Sequence, residues 1–121
     1  MESKKFREMI TSSGKLVLSG KDAKNNEELI AQVEPNEDVF HTAKPGSPFV
    51  NIKAKSNIKD RKEAAIFCAK HSQDWRDNQK DVIVHYFKGK DIYKAKLMKL
   101  GTFGIRKKKI IKIKKEWIKN S

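Results

Sequence analysis

The class of fold is decided by residues 60–87, DRKEAAIFCAKHSQDWRDNQKDVIVHYF. Apolar side chains recur every three or four positions from Ala64 to Trp75, which predicts an amphipathic helix over residues 60–75 with Asp60 as its cap. The last six residues of the stretch are rich in β-branched and aromatic side chains, which are typical of a strand. A helix followed closely by a strand indicates a chain that mixes both kinds of element.

The segments on either side follow the same alternation. Residues 23–33 are predicted to form a second helix, with Asp22 as its N-cap. Predicted strands cover residues 4–10, 16–18, 39–42, 49–52, 82–87, 92–95 and 109–114, and residues 88–91 are predicted to be a hairpin turn. The order ββαββαβββ predicts an α+β fold with two helices and a mixed or antiparallel sheet. We expect one domain over residues 1–115 and a short C-terminal tail over residues 116–121.

The composition excludes several classes of protein. The chain has 121 residues and one cysteine, Cys68, which excludes an intrachain disulfide and a cysteine-based zinc site. Cys68 and His71 fall on the apolar helix face, and no metal-binding spacing is present, so we expect neither a metal nor a cofactor. The N-terminus has no apolar core region, and no apolar run is long enough to span a bilayer. We therefore expect a soluble cytoplasmic protein with no membrane partner.

Positive charge is concentrated in the last third of the chain. Residues 88–121 hold 13 Lys and Arg against 2 Asp and Glu, a net charge of +11, whereas residues 1–87 are nearly neutral. This imbalance predicts a nucleic-acid partner; a solubilising surface and an anionic lipid surface are the alternatives. Lysine dominates, which favours contacts to phosphates over the reading of bases. The predicted nucleic-acid-binding residues are Lys88, Lys90, Lys94, Lys96, Arg106, Lys107, Lys108, Lys109, Lys112 and Lys114.

Further candidate RNA contacts lie elsewhere in the chain. Lys21 and Lys24 flank a strand-to-helix junction where free N–H groups bind phosphate, although a simple N-cap explains the same residues. Phe103, between two glycines, either stacks on an unpaired base or anchors its loop. Ser47, in the turn that follows Pro45, completes the set of polar candidates.

His41 carries the only catalytic hypothesis. It precedes the turn at residues 45–47 and could stack on RNA, accept a proton as a general base, or simply bond to a backbone carbonyl. Ser47 invites a nucleophile interpretation, but no acidic residue is placed to orient a His–Ser pair. We therefore favour a binding protein, with a small RNA-modifying or RNA-processing enzyme that uses His41 as the alternative.

Six segments of the chain form a recognisable series. They are Gly20-Lys21-Asp22-Ala23-Lys24-Asn25-Asn26, Val39-Phe40-His41-Thr42-Ala43, Pro45-Gly46-Ser47-Pro48-Phe49-Val50, Glu63-Ala64-Ala65 with Ser72 and Trp75, Val82-Ile83-Val84, and Lys99 with Gly101-Thr102-Phe103-Gly104. No single segment is specific, but together, in this order and spacing, they resemble one known family, the NFACT RNA-binding (NFACT-R) domain. The similarity covers about residues 5–114.

The resemblance implies an RNA-binding module. Such domains occur in ribosome quality-control NFACT factors, also known as fibronectin-binding-like proteins, which bind the large ribosomal subunit and tRNA, and they occur as stand-alone proteins. The resemblance therefore implies rRNA or tRNA as the ligand and the large ribosomal subunit as a partner. The peptide-tailing activity of the large factors depends on a domain for which 121 residues leave no room, so we expect a stand-alone domain without it.

Overall fold

The computed structural model describes residues 4–121. The strands are β1 (Arg7–Ile10), β2 (Leu16–Ser19), β3 (Asp38–Thr42), β4 (Val50–Ile52), β5 (Val82–Lys88), β6 (Ile92–Tyr93), β7 (Gly104–Ile105) and β8 (Lys109–Ile113). The helices are α1 (Ala23–Ala31), α2 (Ile58–Lys70), α3 (Gln73–Asn78) and α4 (Lys115–Lys119). Six strands form one antiparallel sheet in the order β1-β2-β4-β3-β5-β8, while β6 and β7 pair separately. The α+β prediction with an antiparallel sheet is confirmed.

The sheet buries both of its faces, because side chains alternate along each strand. On one face Phe40, Val84 and Ile113 pack against α2 and α4. On the other face Val39 and Phe87 belong to a smaller apolar cluster that includes residues of α1, β6 and β7. The larger core therefore fixes the long helix, and the smaller core fixes the segments that surround the site described below.

The helix ends differ in part from the sequence-based expectation. Asp22 is the N-cap of α1 as predicted, accepting a hydrogen bond from the Asn25 amide. At α2 the cap is Asn57, and Asp60 lies three residues later in a reciprocal capping box. Ser72 caps a new helix, so the predicted helix 60–75 breaks after Lys70 and Trp75 lies on α3. No helix within residues 4–121 is both long and apolar enough to cross a membrane.

The predicted hairpin between residues 82–87 and 92–95 is wrong. Strand β5 pairs with β3 on one side and β8 on the other, while β6 pairs only with β7. After β5 the amides of Gly89 and Lys90 donate to the carbonyls of Glu37 and Pro35. These bonds turn the chain away from the sheet, leaving the edge of β5 for the last strand.

The C-terminal segment is joined to the larger core. Ile118 of α4 is 2% exposed and belongs to the cluster that α2 covers, and Trp117 packs against the same cluster. Helix α4 includes residues on both sides of the predicted boundary at residue 115, and that boundary stays a prediction.

A buried carboxylate at the start of β3 uses one of the predicted RNA-binding lysines. Asp38 accepts hydrogen bonds from Lys88 Nζ at 2.6 Å, from the Tyr86 hydroxyl at 2.7 Å and from Ser56. Burial raises the pKa of Asp38, but the bonds from Lys88, Ser56 and Tyr86 outweigh it and bring the pKa below its ordinary value. Lys88 therefore already neutralises a carboxylate within the fold.

We predict that Lys88→Met lowers the free energy of unfolding by about 1–3 kcal/mol, because Asp38 loses a charged partner that is itself partly exposed. The matched variant Lys90→Met should stay within about 0.5 kcal/mol of the parent. Urea unfolding at neutral pH measures both.

The difference between the two variants should narrow as the pH falls below about 3.9, the ordinary carboxyl pKa, because the lowered pKa of Asp38 stabilises the fold only while Asp38 is ionised. Equal stability of the two variants at neutral pH would contradict a structural role for Lys88.

Candidate nucleic-acid interface

A cleft of about 610 Å³ lies where β2 and β3 end and β4 begins. Three segments that are distant in the chain, residues 20–23, 45–49 and 100–103, contribute to its walls. They are the strand-to-helix junction, the Pro-Gly-Ser turn and the glycine loop noted in the sequence. The fold therefore brings three of the motif segments to one place.

A buried amide fixes the Pro-Gly-Ser turn against α1. Asn26 is 7% exposed; its Oδ1 accepts from the Phe49 amide at 3.0 Å, and its Nδ2 donates to the Ser47 carbonyl at 3.4 Å. At the start of the same helix the Asp22 carboxylate accepts a hydrogen bond from the Asn25 amide. The N-cap interpretation is thus confirmed, and anion contacts by Lys21 and Lys24 stay a prediction.

Two glycines bring the Pro-Gly-Ser turn and the glycine loop close to neighbouring helices. Gly46 has a φ of +83°, and a Cβ there would lie 2.8 Å from the side chain of Gln73. Gly101 has a φ of +77°, and a Cβ there would lie 2.8 Å from the backbone of Ala23. Because only glycine combines this backbone conformation with such close approach, both loops are fixed to neighbouring helices.

Two histidines on adjacent strands face the cleft together. His41 and His85 are directly opposite each other in the β3–β5 ladder, so their side chains lie on the same face of the sheet. The His41 ring packs against Phe49 with centroids 4.4 Å apart, and its Nδ1 donates to the Thr42 carbonyl at 2.7 Å. Burial, with a smaller contribution from His85, lowers the pKa of His41. The His41 imidazole is therefore neutral, and Nε2 is the ring nitrogen that is left as an acceptor.

Ser47 is engaged in the turn itself. Its hydroxyl accepts from the Thr42 amide at 3.1 Å and donates to the Pro48 carbonyl at 2.8 Å. Neither bond involves His41. The nearby Cys68 thiol is buried, which raises its pKa to about 12. These contacts give Ser47 and Cys68 structural roles and activate neither as a nucleophile.

Part of the cleft lining is cationic. Arg7 and Arg76 line the cleft beside His71, whose pKa is lowered to about 4 by burial first and then by the charges of Arg7, Lys70 and Arg76. In the part of the chain that the structure describes, neither arginine forms a salt bridge. An excess of positive charge therefore surrounds a neutral imidazole.

Sequence reasoning did not identify Arg7, Arg76, His71 or His85 as members of one site. They come from β1, α3, the end of α2 and β5, and no local pattern connects them. Their shared location is a consequence of the sheet topology. The three histidines and Cys68 do not make a metal centre, since residues 4–121 contain no metal-binding group of three His, Cys, Asp or Glu.

The predicted basic residues fall into two groups. Lys94 contacts Glu27 at 3.1 Å and lies over the Phe103 ring at 4.5 Å, and Lys112 contacts Asp81 at 3.6 Å. Lys88, Lys94 and Lys112 therefore each already contact a carboxylate of the protein. Those exposed and without a salt bridge in residues 4–121 are Lys90, Lys96, Arg106, Lys107, Lys108, Lys109 and Lys114.

The basic loop, residues 106–109, directly follows Ile105, which lines the cleft. His85 pairs with Ile110 in the β5–β8 ladder, two residues after Lys108, and the charge of Lys108, after burial, lowers the pKa of His85. Arg106 lies over the Tyr93 ring at 4.9 Å. Phe103 meets Phe49 edge to face at 5.4 Å and so anchors its loop in the smaller core. The basic loop thus begins next to a residue that lines the cleft.

Known proteins resemble this chain over most of its length. The Archaeal Rqc2 homolog aRqcH of Methanocaldococcus jannaschii is 33% identical over 102 residues, which cover 78% of this chain but only 15% of that protein. The C-terminal part of the fibronectin/fibrinogen-binding protein from Streptococcus suis shares the fold, with a TM-score of 0.83 at 21% identity over 99% of this chain and 50% of that chain.

The family model described as NFACT protein RNA binding domain matches residues 5–107. This range includes the three motif segments of the cleft and the first two residues of the basic loop. The chain therefore belongs to the family of NFACT RNA-binding domains.

Proposed function

We propose that this domain binds structured RNA, rRNA or tRNA, chiefly through phosphate contacts of its basic C-terminal third. The observation that carries the proposal is the basic loop: four consecutive cations, exposed and without salt bridges in residues 4–121, beside a cleft built from family motifs. Lys90 and Lys96 extend the charge. Lysine ammonium groups neutralise phosphates without reading bases, so affinity should vary little with sequence.

Association with the large ribosomal subunit in the cytoplasm is the setting we propose. It is supported by the resemblance to a relative named as an Rqc2 homolog. The chain spans 15% of the length of that relative. In this setting we therefore propose RNA binding for this chain and none of the other activities of the whole relative.

The alternative, an RNA-modifying enzyme that uses His41, has less support. The His41 ring is packed against Phe49, and its Nδ1 is committed to a backbone carbonyl. Ser47 makes two hydrogen bonds within its own turn. A general base needs an acceptor atom within reach of its substrate, and of the two ring nitrogens of His41, Nδ1 is already bonded to the Thr42 carbonyl. Binding without chemistry explains the same residues more simply.

We expect RNA affinity to fall steeply with salt. If about five phosphates are neutralised, log K should fall against log salt with a slope of roughly −3.5 for single strands and −4.5 for duplexes. Fluorescence anisotropy between about 50 and 200 mM salt measures the slope. A flat response would contradict phosphate binding.

Replacing Arg106, Lys107, Lys108 and Lys109 together by Ser should weaken binding to all RNA sequences by a similar factor. All four side chains are exposed, so the melting temperature should change little. The matched control replaces four exposed cations outside the basic third, Lys55, Lys59, Lys62 and Lys80, by Ser, and so removes the same charge. Equal losses in the two variants would mean that net charge alone, and not the basic loop, attracts RNA.

His41→Ala separates binding from catalysis. A binding domain should lose at most about 1–2 kcal/mol of RNA affinity or stability, with an unchanged salt slope, because no phosphate contact is removed. Mass spectrometry of cell-derived RNA incubated with either protein tests the enzyme. A modified nucleoside that forms with the wild type and disappears with His41→Ala would overturn the proposal.

A further inference from the structure

We infer that the cleft takes an unpaired segment of the bound RNA, with a phosphate between Arg7 and Arg76 and a base against His85 and Leu100. This inference rests on the proposed function, that RNA is the ligand. It adds where on the protein the RNA binds, which is the cleft, and which form of RNA binds there, which is unpaired. Phosphate contacts by the basic loop alone do not require unpaired bases.

The size of the cleft favours a few nucleotides. Its volume of about 610 Å³ lies within the range of about 300–1,000 Å³ that is usual for pockets that hold small ligands. A double helix is far too wide for such a space, and its base faces are already stacked on each other. Unpaired nucleotides expose those faces and can enter a pocket one or two at a time.

The charges in the cleft lining suit a phosphate group. Arg7 and Arg76 form no salt bridge among the described residues, and the one carboxylate that lines the cleft, Asp22, is bonded at the helix start. Burial first, and then the charges of Arg7, Lys70 and Arg76, lower the pKa of His71 to about 4, so both arginines lie close to this imidazole. A phosphate there would supply the negative charge that the site lacks.

Other lining residues offer surfaces for a base. His85 is half-buried and lines the cleft, and His41 lies opposite it in the ladder with its ring packed against Phe49. Leu100 also lines the cleft and is 57% exposed, so its apolar surface is available to a ligand. An imidazole ring stacks on any base, because every base has a ring face, and an aliphatic side chain packs against that face.

The wall that carries Leu100 is fixed before RNA arrives. The amide of Gly101 donates to Glu27 of α1 at 3.2 Å, and Lys94 bonds to Glu27 and to the carbonyls of Lys99 and Thr102. A preformed wall lowers the entropy that binding must overcome. The basic loop starts next to Ile105 of the cleft lining, and Lys108 lies two residues before Ile110, the partner of His85, so we expect one RNA strand to contact both the cleft and the basic loop.

The test compares hexauridylate with a blunt duplex RNA by fluorescence anisotropy, using wild type, Arg76→Gln, His85→Ala and the control Lys59→Gln. Arg76→Gln should weaken hexauridylate binding several-fold and reduce its salt slope by about 0.7, the loss of one phosphate contact. His85→Ala should weaken hexauridylate binding about five-fold or more with an unchanged slope, through a lost stack. Neither should alter duplex binding beyond the effect of Lys59→Gln.

A second measurement uses unaltered protein. Adding hexauridylate should shift the imidazole NMR signals of His71 and His85 and raise the pKa of His71 above about 4, because bound phosphate offsets the neighbouring cations. The duplex should leave both signals in place.

The outcomes separate the two proposals. If Arg76→Gln and His85→Ala behave like Lys59→Gln and the imidazole signals do not move, the cleft proposal fails. The proposed function would still stand if the basic-loop variant loses RNA. If the wild type binds neither RNA at low salt, both proposals fail.

Discussion

The pairing of β3 with β5 is the constraint on which the rest of the structure depends. Five residue pairs, from Asp38 with Lys88 to Thr42 with Val84, join segments more than 40 positions apart in the chain. The pairing places Phe40 and Val84 over α2 for the larger core and sets His41 beside His85 on the opposite face. Loop closure over this distance is costly in entropy, so the burial of both sheet faces must offset it.

Local patterns predicted most of the elements but not the sheet topology. The N-cap of α1 follows from one side chain and its neighbours, so Asp22 could be identified from the sequence. The partner of β5 could not, because a run of β-branched residues carries no information about which strand it meets. The turn after β5 looked like a hairpin, yet bonds from Gly89 and Lys90 to residues 35–37 redirect the chain, and only the folded structure contains them.

The candidate site divides in the same way. The motif segments were recognisable, since each has its own glycines and polar residues, whereas Arg7 and Arg76 came from elements that no pattern links. Charge alone also overstated the binding surface. Lys88 and Lys94 are as basic as Lys107, but each has a carboxylate partner in the fold, and a count of charges cannot separate structural from available cations.

The lysines of β8 have a second effect, which follows from the position of this strand at an edge of the sheet. This strand is an outer edge of the six-stranded sheet, and Ile110 on it is 68% exposed. An open edge with an exposed isoleucine is a template for pairing with another chain, and charged side chains on such edges oppose that pairing. Lys109 directly precedes Ile110, and Lys112 follows it by two residues; both are exposed. We therefore expect these ammonium groups to oppose the pairing of β8 with another chain, so that neutralising them favours self-association.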